Sequence, residues 1–287
     1  MDCKYSNGAL PATSLALSLL LAACGGGGGG GGDNSTADTT DPSGGTNEPA
    51  TRLKAGRFNT TVTYENSPSR DGLTILSPTG RFASALQLTQ QELDAGDRPN
   101  ISFGEYKFDN GEISGSATDF IYIVDNESWV SSTGEIDGTV EAPGEGVLGG
   151  EASNSSTSIN LKRQPDYSDQ GVTLSELSGT YTQSGNTLHT SITVDSGGTV
   201  TGNGGENGCQ VFTGENGGVT IPDTSLNVFE IKYTVANCKD EAGDPAPEKN
   251  GEFSGVGTFD SEDSRLEFLA NNEEIAVLFS GARGPGG

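Results

Sequence analysis

Leu73-Thr-Ile-Leu76, Ser77-Pro-Thr-Gly80 and Arg81-Phe-Ala-Ser-Ala-Leu-Gln-Leu88 follow one another without a gap. Two short runs of mixed apolar and small residues flank a Ser-Pro-Thr-Gly turn. Proline presets φ for the second turn position and glycine releases the chain into the next run, so the segment reads as a β-hairpin. Upstream, Phe58, Thr60, Val62 and Tyr64 recur with period two and share one strand face. Downstream, Thr89-Gln-Gln-Glu92 is a capping box that opens at most two turns of helix before Gly96. The meander resumes with Ile101 to Phe108, an Asp109-Asn-Gly111 turn, Glu112 to Thr118 and Phe120 to Val124. Glu135 to Glu141, Gly146 to Ala152 and Ser156 to Lys162 bring the unit to about eight strands. Arg163 to Gly171 contains Pro165 and reads as a linker.

A second unit repeats the plan. Thr173-Leu-Ser-Glu176 is another capping box, followed by runs at Gly179–Gln183, Leu188–Val194, Thr199–Gly202, Gly208–Thr213 and Gly218–Ile221. The longest run, Ser225 to Asn237, precedes an acidic, proline-bearing loop at Lys239–Asn250. Gly251–Phe259, Ser264–Leu269 and Ile275–Ser280 complete it, with Gly281–Gly287 read as a loose tail. The fold class is therefore all-β: two tandem small antiparallel domains, barrel-like or sandwich-like, over 53–165 and 172–283. The two units share a faint pattern. Gly56-Arg-Phe-Asn-Thr then Gly72-Leu-Thr-Ile parallels Gly179-Thr-Tyr-Thr then Thr190-Ser-Ile-Thr, which suits a duplication.

The N-terminal part carries a different signal. The apolar stretch from Leu15 to Ala23 is about half the length that spans a bilayer, and it fits a signal-peptide core. It ends in Leu21-Ala-Ala-Cys24, followed by glycine from Gly25 to Gly32. This block resembles a bacterial lipoprotein lipobox. The resemblance implies that 1–23 is a signal peptide and that Cys24 takes a diacylglyceryl group and a further acyl chain. Because Gly25 is not aspartate, it also favours the outer membrane, facing the periplasm or the cell surface. Residues 24–52 are Gly, Ser, Thr, Asn, Asp and Pro with little to bury, which predicts a disordered tether. With Cys3 in the leader and Cys24 lipidated, Cys209 and Cys238 remain as one pair in an exported chain, and a structural disulfide is expected. No further ligands accompany that pair for a zinc site.

Composition limits the function. The net charge is −25, which excludes the Lys/Arg stripes that phosphate backbones require, so no nucleic-acid partner is expected. Only 31% of residues are hydrophobic and 44 are glycine, in keeping with thin, turn-rich β-structure. Catalytic chemistry finds no foothold. His189 is the sole histidine, it stands in an ordinary strand setting, and no Gly-x-Ser-x-Gly elbow accompanies it. Asp240-Glu-Ala-Gly-Asp244 and Asp260-Ser-Glu-Asp263 set oxygen donors on turns but match no EF-hand loop. No catalytic residue, metal or cofactor is assigned. Phe120, Tyr122 and Trp129 are expected in the first core, and Phe229, Tyr233 and Phe253 in the second.

One block of the second unit adds a family resemblance. It reads Asn207-Gly-Cys209, Val219-Thr-Ile-Pro-Asp223, Asn227-Val228, Val235-Ala-Asn-Cys238 and Gly251-x-Phe-x-Gly255. With Cys24 and its glycine run, it resembles a largely uncharacterised group of proteobacterial lipoproteins with two β domains. The plan is also similar to that of transferrin-binding and factor H-binding surface lipoproteins, without transfer of binding residues. Two functions follow as expectations. One is a non-enzymatic binding module held at the outer membrane through lipid on Cys24, facing a protein or other ligand. The alternative is a lipocalin-like carrier of an apolar small molecule, which requires a barrel with an unfilled interior.

Overall fold

The computed structural model describes residues 53–64, 68–109, 111–142, 145–152, 155–183, 189–204, 208–240 and 242–284. Cys24, the leader 1–23 and the tether 24–52 lie outside the described residues. Among the described residues no helix is long and apolar enough to cross a membrane.

The first unit is a closed antiparallel barrel. Its strands are β1 (Gly56–Tyr64), β2 (Arg70–Leu76), β3 (Arg81–Leu86), β4 (Ile101–Asp109), β5 (Glu112–Ile123), β6 (Ser128–Ala142), β7 (Glu145–Ala152) and β8 (Ser155–Arg163). Each pairs with the next, and β8 returns to β1 with Phe58 opposite Arg163 and Tyr64 opposite Thr157. The β2–β3 turn closes as its chemistry dictates: Gly80 N–H donates to the Ser77 carbonyl (3.1 Å) and Ser77 N–H to that of Arg81 (2.8 Å). The capping box at Thr89 opens α1 (Gln90–Asp94), with Thr89 and Glu92 each satisfying the other's backbone N–H.

Four expectations need correction. The runs at Glu112–Thr118 and Phe120–Val124 are one strand. β6 begins at Ser128, seven residues before the run read from Glu135, because Ser128 to Thr139 pairs along the whole of β5. The linker is structured. Arg163 belongs to β8, α2 (Pro165–Ser168) follows, and Ser168 Oγ accepts from Arg57 N–H at 2.9 Å. The chain end is also ordered further than expected: Gly281 to Arg283 continue the last strand, and Gly284 N–H donates to the Thr180 carbonyl (2.9 Å).

The second unit opens with α3 (Leu174–Leu177), again behind a complete capping box. Its strands are β9 (Gly179–Thr182), β10 (Ser191–Val194), β11 (Val200–Asn203), β12 (Gln210–Phe212), β13 (Gly218–Thr220), β14 (Phe229–Ala236), β15 (Gly251–Asp260), β16 (Arg265–Asn271) and β17 (Ala276–Arg283). They form one curled sheet in the order β12-β11-β10-β9-β17-β16-β15-β14-β13, and β12 pairs with β14 as well. With β13 set aside, the neighbours follow the order of the first barrel.

The likeness reaches single residues. Gly56 and Gly179 open the first strands with φ of 146° and 154°. Two residues on, Phe58 and Tyr181 are fully buried and stand opposite Arg163 and Arg283 of the last strands. A Cβ at Gly56 would lie 2.9 Å from Arg163 Nε, and one at Gly179 would lie 2.9 Å from Arg283 Nε. Each sheet is thus seamed by an arginine that only glycine leaves room for.

The two interiors differ. The second is filled by Tyr181, Tyr233, Phe253, Phe268 and Phe279, with Tyr233 stacked on Phe253 at 5.4 Å. Phe229, Tyr233 and Phe253 thus occupy the expected core. The first trio does not. Phe120 projects outward from the barrel, packs edge-on to Phe103 (5.8 Å), and meets Val228, Val256, Leu269 and Ala276 of the second unit. Trp129 flanks that contact, beside Tyr122. Alternation explains the difference: Ile113, Ala117 and Asp119 take the inner face of β5, so Phe120 is left on the outer one.

Candidate functional site

The site is the hollow of the first barrel. Its closed end, at the β2–β3 turn, is plugged by Leu53, Phe58, Leu76, Phe82, Ile136 and Leu161. Tyr106 seals the same end by donating its hydroxyl to the Ser77 carbonyl (2.9 Å), and burial pushes its phenol up to about 12. On β3 to β5 the hollow is lined by the small residues Ser84, Ser102 and Ala117. The result is a cavity of about 390 Å³ lined mainly by aliphatic and aromatic side chains, within the range of small-molecule sites.

A polar row crosses this apolar interior. Register sets Thr74 opposite Ser84, Ser84 opposite Ser102, Ser102 opposite Asp119 and Asp119 opposite Ser132. At one end the hydroxyls bond to each other, Thr60 to Thr74 at 2.6 Å and Thr74 to Ser84 at 2.9 Å. At the other end Asp119 is buried at 6% exposure, and its Oδ1 has no hydrogen-bond partner among the described residues. Ser132 Oγ is likewise buried and without a partner among them. Burial raises the Asp119 carboxyl to about 6, although a hydrogen bond with Ser102 pulls the other way.

The mouth lies where β1 ends and β2 begins, beneath α1. Arg70 holds the helix there, donating from Nη2 to Glu92 (3.1 Å) and to the Gln87 carbonyl (2.9 Å). Burial works against ionisation of Glu92, yet the Thr89 hydrogen bonds and the Arg70 charge hold its carboxyl below the ordinary range. Tyr64 faces the same group of charges. Burial raises its phenol, Arg70 lowers it, and Asp119 and Glu92 raise it again. Around this end Leu93, Val124 and Val130 remain exposed.

The remaining sequence candidates resolve as follows. Cys209 and Cys238 are disulfide-bonded with Cα atoms 4.1 Å apart, so the expected bridge joins β12's approach to the end of β14. His189 is fully buried, its Nε2 2.7 Å from the Tyr233 hydroxyl and its ring edge-on to Tyr233 and Phe253. It is part of the packed core of the second unit. The acidic turns cap themselves: Asp260 Oδ1 accepts from Glu262 N–H (3.0 Å) and Asp263 N–H (3.1 Å), and Asp240 Oδ1 accepts from Asp244 N–H (2.8 Å). Among the described residues no group of three or more His, Cys, Asp or Glu converges to hold a metal.

Sequence reasoning missed the polar row and Asp119. The signal was the alternation of small and hydroxylated residues in β2 to β6, which becomes a row only once the register is known.

No family model matches the chain, and no curated protein matches it. Among solved structures, a redesigned β-barrel is similar at 17% identity, covering 40% of this chain and 95% of its own, with a TM-score of 0.30.

Proposed function

We propose that this protein is a non-enzymatic carrier that holds a small apolar molecule in its first barrel. The observation that carries the reading is the cavity of about 390 Å³, open beneath α1 and lined by aliphatic and aromatic side chains. The exposed Leu93, Val124 and Val130 around the mouth give an apolar molecule a path from its source into the hollow. An interaction module without a cargo would favour packed interiors; the second unit has one and the first does not.

Diphenylhexatriene, a neutral apolar fluorophore, tests the reading. It should bind with enhanced emission, and Ala117→Phe, which projects a ring into the hollow, should weaken binding at least about tenfold while the melting temperature holds or rises. Equal binding by both proteins, or none by either, would overturn the carrier.

The second part of the proposal is placement: a lipid on Cys24 holds the carrier at the outer membrane. Its support is the lipobox-like Leu21-Ala-Ala-Cys24 and the glycine run behind it. Two acyl signals are needed for stable anchoring, and a lipidated N-terminal cysteine supplies them. Cys24→Ser should abolish acyl labelling and shift the protein out of the membrane fraction. Unchanged fractionation of that variant would refute the anchor.

A further inference from the structure

We propose that the first barrel selects its cargo by head group. It takes an apolar molecule bearing a hydrogen-bond donor, an amine or a hydroxyl, which docks on Asp119 and Ser132, and it disfavours the matching carboxylate. The inference rests on the carrier reading and adds the class of ligand.

The polar row supplies the argument. Thr60, Thr74 and Ser84 spend their hydroxyls on one another. Beyond Ser102 the row ends in two buried atoms, Asp119 Oδ1 and Ser132 Oγ, which have no partner among the described residues. These two residues face each other across β5 and β6, and Asp119 lines the cavity. An ionised carboxylate oxygen only accepts, and leaving one buried without a donor is costly. A donor on the cargo removes that cost, so the site discriminates against a molecule lacking one.

Charge points the same way. Among the described residues, the ionisable acids and bases that line the cavity and its mouth, apart from the phenols, are Arg70, Glu92 and Asp119. Arg70 is already paired with Glu92 and bonded to the Gln87 carbonyl, which leaves no cation of this group to compensate Asp119 among the described residues. Arg70 Nε is a further buried donor at the mouth without a partner among the described residues. A cargo carboxylate seated on it would face both Glu92 and Asp119. An amine meets the opposite balance, and a charge-assisted bond to a buried carboxylate is among the stronger hydrogen bonds.

Competition against diphenylhexatriene by decylamine, decanol and decanoate separates the possibilities, because the three share a chain and differ in the head. Decylamine and decanol should displace the fluorophore at concentrations at least about tenfold below decanoate, the effect of a single good hydrogen bond. Asp119→Asn keeps an acceptor but removes the charge, so it should weaken decylamine about tenfold and spare decanol. Asp119→Leu should erase the preference for both, each competitor being scored against that variant's own diphenylhexatriene affinity. Displacement by decanoate at equal or lower concentration, or a preference that survives Asp119→Leu, would overturn the head-group inference and leave the carrier standing. If diphenylhexatriene does not bind the unaltered protein, the carrier reading falls and this inference falls with it.

Discussion

The carboxyl of Asp119 stands inside the barrel with Ser102 and Ser132 as cross-strand neighbours, and burial raises it from its ordinary 3.8 to about 6. The folded state therefore holds this proton over a pH range where the unfolded chain has released it. Between about pH 4 and 6 the folded protein binds more protons than the unfolded one, so stability falls as pH rises through that window. The shift corresponds to at most about 3 kcal/mol at neutral pH. Asp119→Asn should recover part of this and flatten the dependence, so denaturant midpoints at pH 4.5 and pH 7 should converge in the variant. An unchanged slope would show that Asp119 ionises freely in the fold. Asp169 has the opposite sign: hydrogen bonds from Arg163 and Lys54 outweigh burial and lower it to about 2, so its contribution is present above pH 4 and lost as pH falls toward 2. The sequence concealed Asp119 for a physical reason. Aspartate is depleted in strands, so Glu112 to Val124 reads as two runs broken at residue 119. The break in the pattern is the buried polar position.

Elements with local causes were legible, while those fixed by pairing were not. The hairpin at Ser77–Gly80 and the capping boxes at Thr89 and Thr173 need only their own residues, and the structure forms all three. Ser128 to Thr133 is different. Its Ser-Trp-Val-Ser-Ser-Thr sequence has weak alternation, and it becomes strand because the far half of β5 requires a partner. The disulfide belongs to the legible class because cysteine arithmetic left one pair. It joins the two strands that flank β13 in the sequence and pair directly with each other, Cys209 just before β12 and Cys238 just after β14, where Val211 pairs with Val235. β12 and β13 have three residues each, so this edge of the sheet has few backbone bonds of its own. Closing a loop with a sequence separation of 29 stabilises by about 3.6 kcal/mol in the chain-entropy model. Reduction should therefore lower the melting temperature by several degrees and expose β12 and β13 to hydrogen exchange first. Uniform loss of protection over β15 to β17 would contradict this assignment.

Across the whole molecule the decisive surface is the face between the two units, where Phe120 stands instead of in the first core expected from the sequence. Ile75, Ala83, Ile101, Phe103 and Phe120 clothe the outside of β2 to β5, and Val228, Val256, Leu269 and Ala276 clothe the outside of the second sheet. These strands carry apolar residues on both faces, and alternation alone does not show which face meets solvent. The polar edge of the contact is specific. Glu230 accepts from Ser77 Oγ (2.6 Å) and from Thr79 Oγ1, Arg57 pairs with Glu267 at 2.6 Å, and buried Asn227 ties α2 to β15 through Ser168 and Phe259. The hollow barrel thus leans on the packed one. Its interior contributes less burial than a filled core would, and the shared face supplies part of the difference. The two units should then unfold in one calorimetric transition. Val256→Asp leaves an unpaired charge on this face without touching either interior, and it should split the transition in two, with the first barrel melting earlier. Reduction of Cys209–Cys238 provides the control. In the unaltered protein it should lower the joint transition, whereas in the variant it should move only the second unit's peak. Two independent transitions before any substitution would mean that the barrel stands alone and the shared face stabilises neither unit.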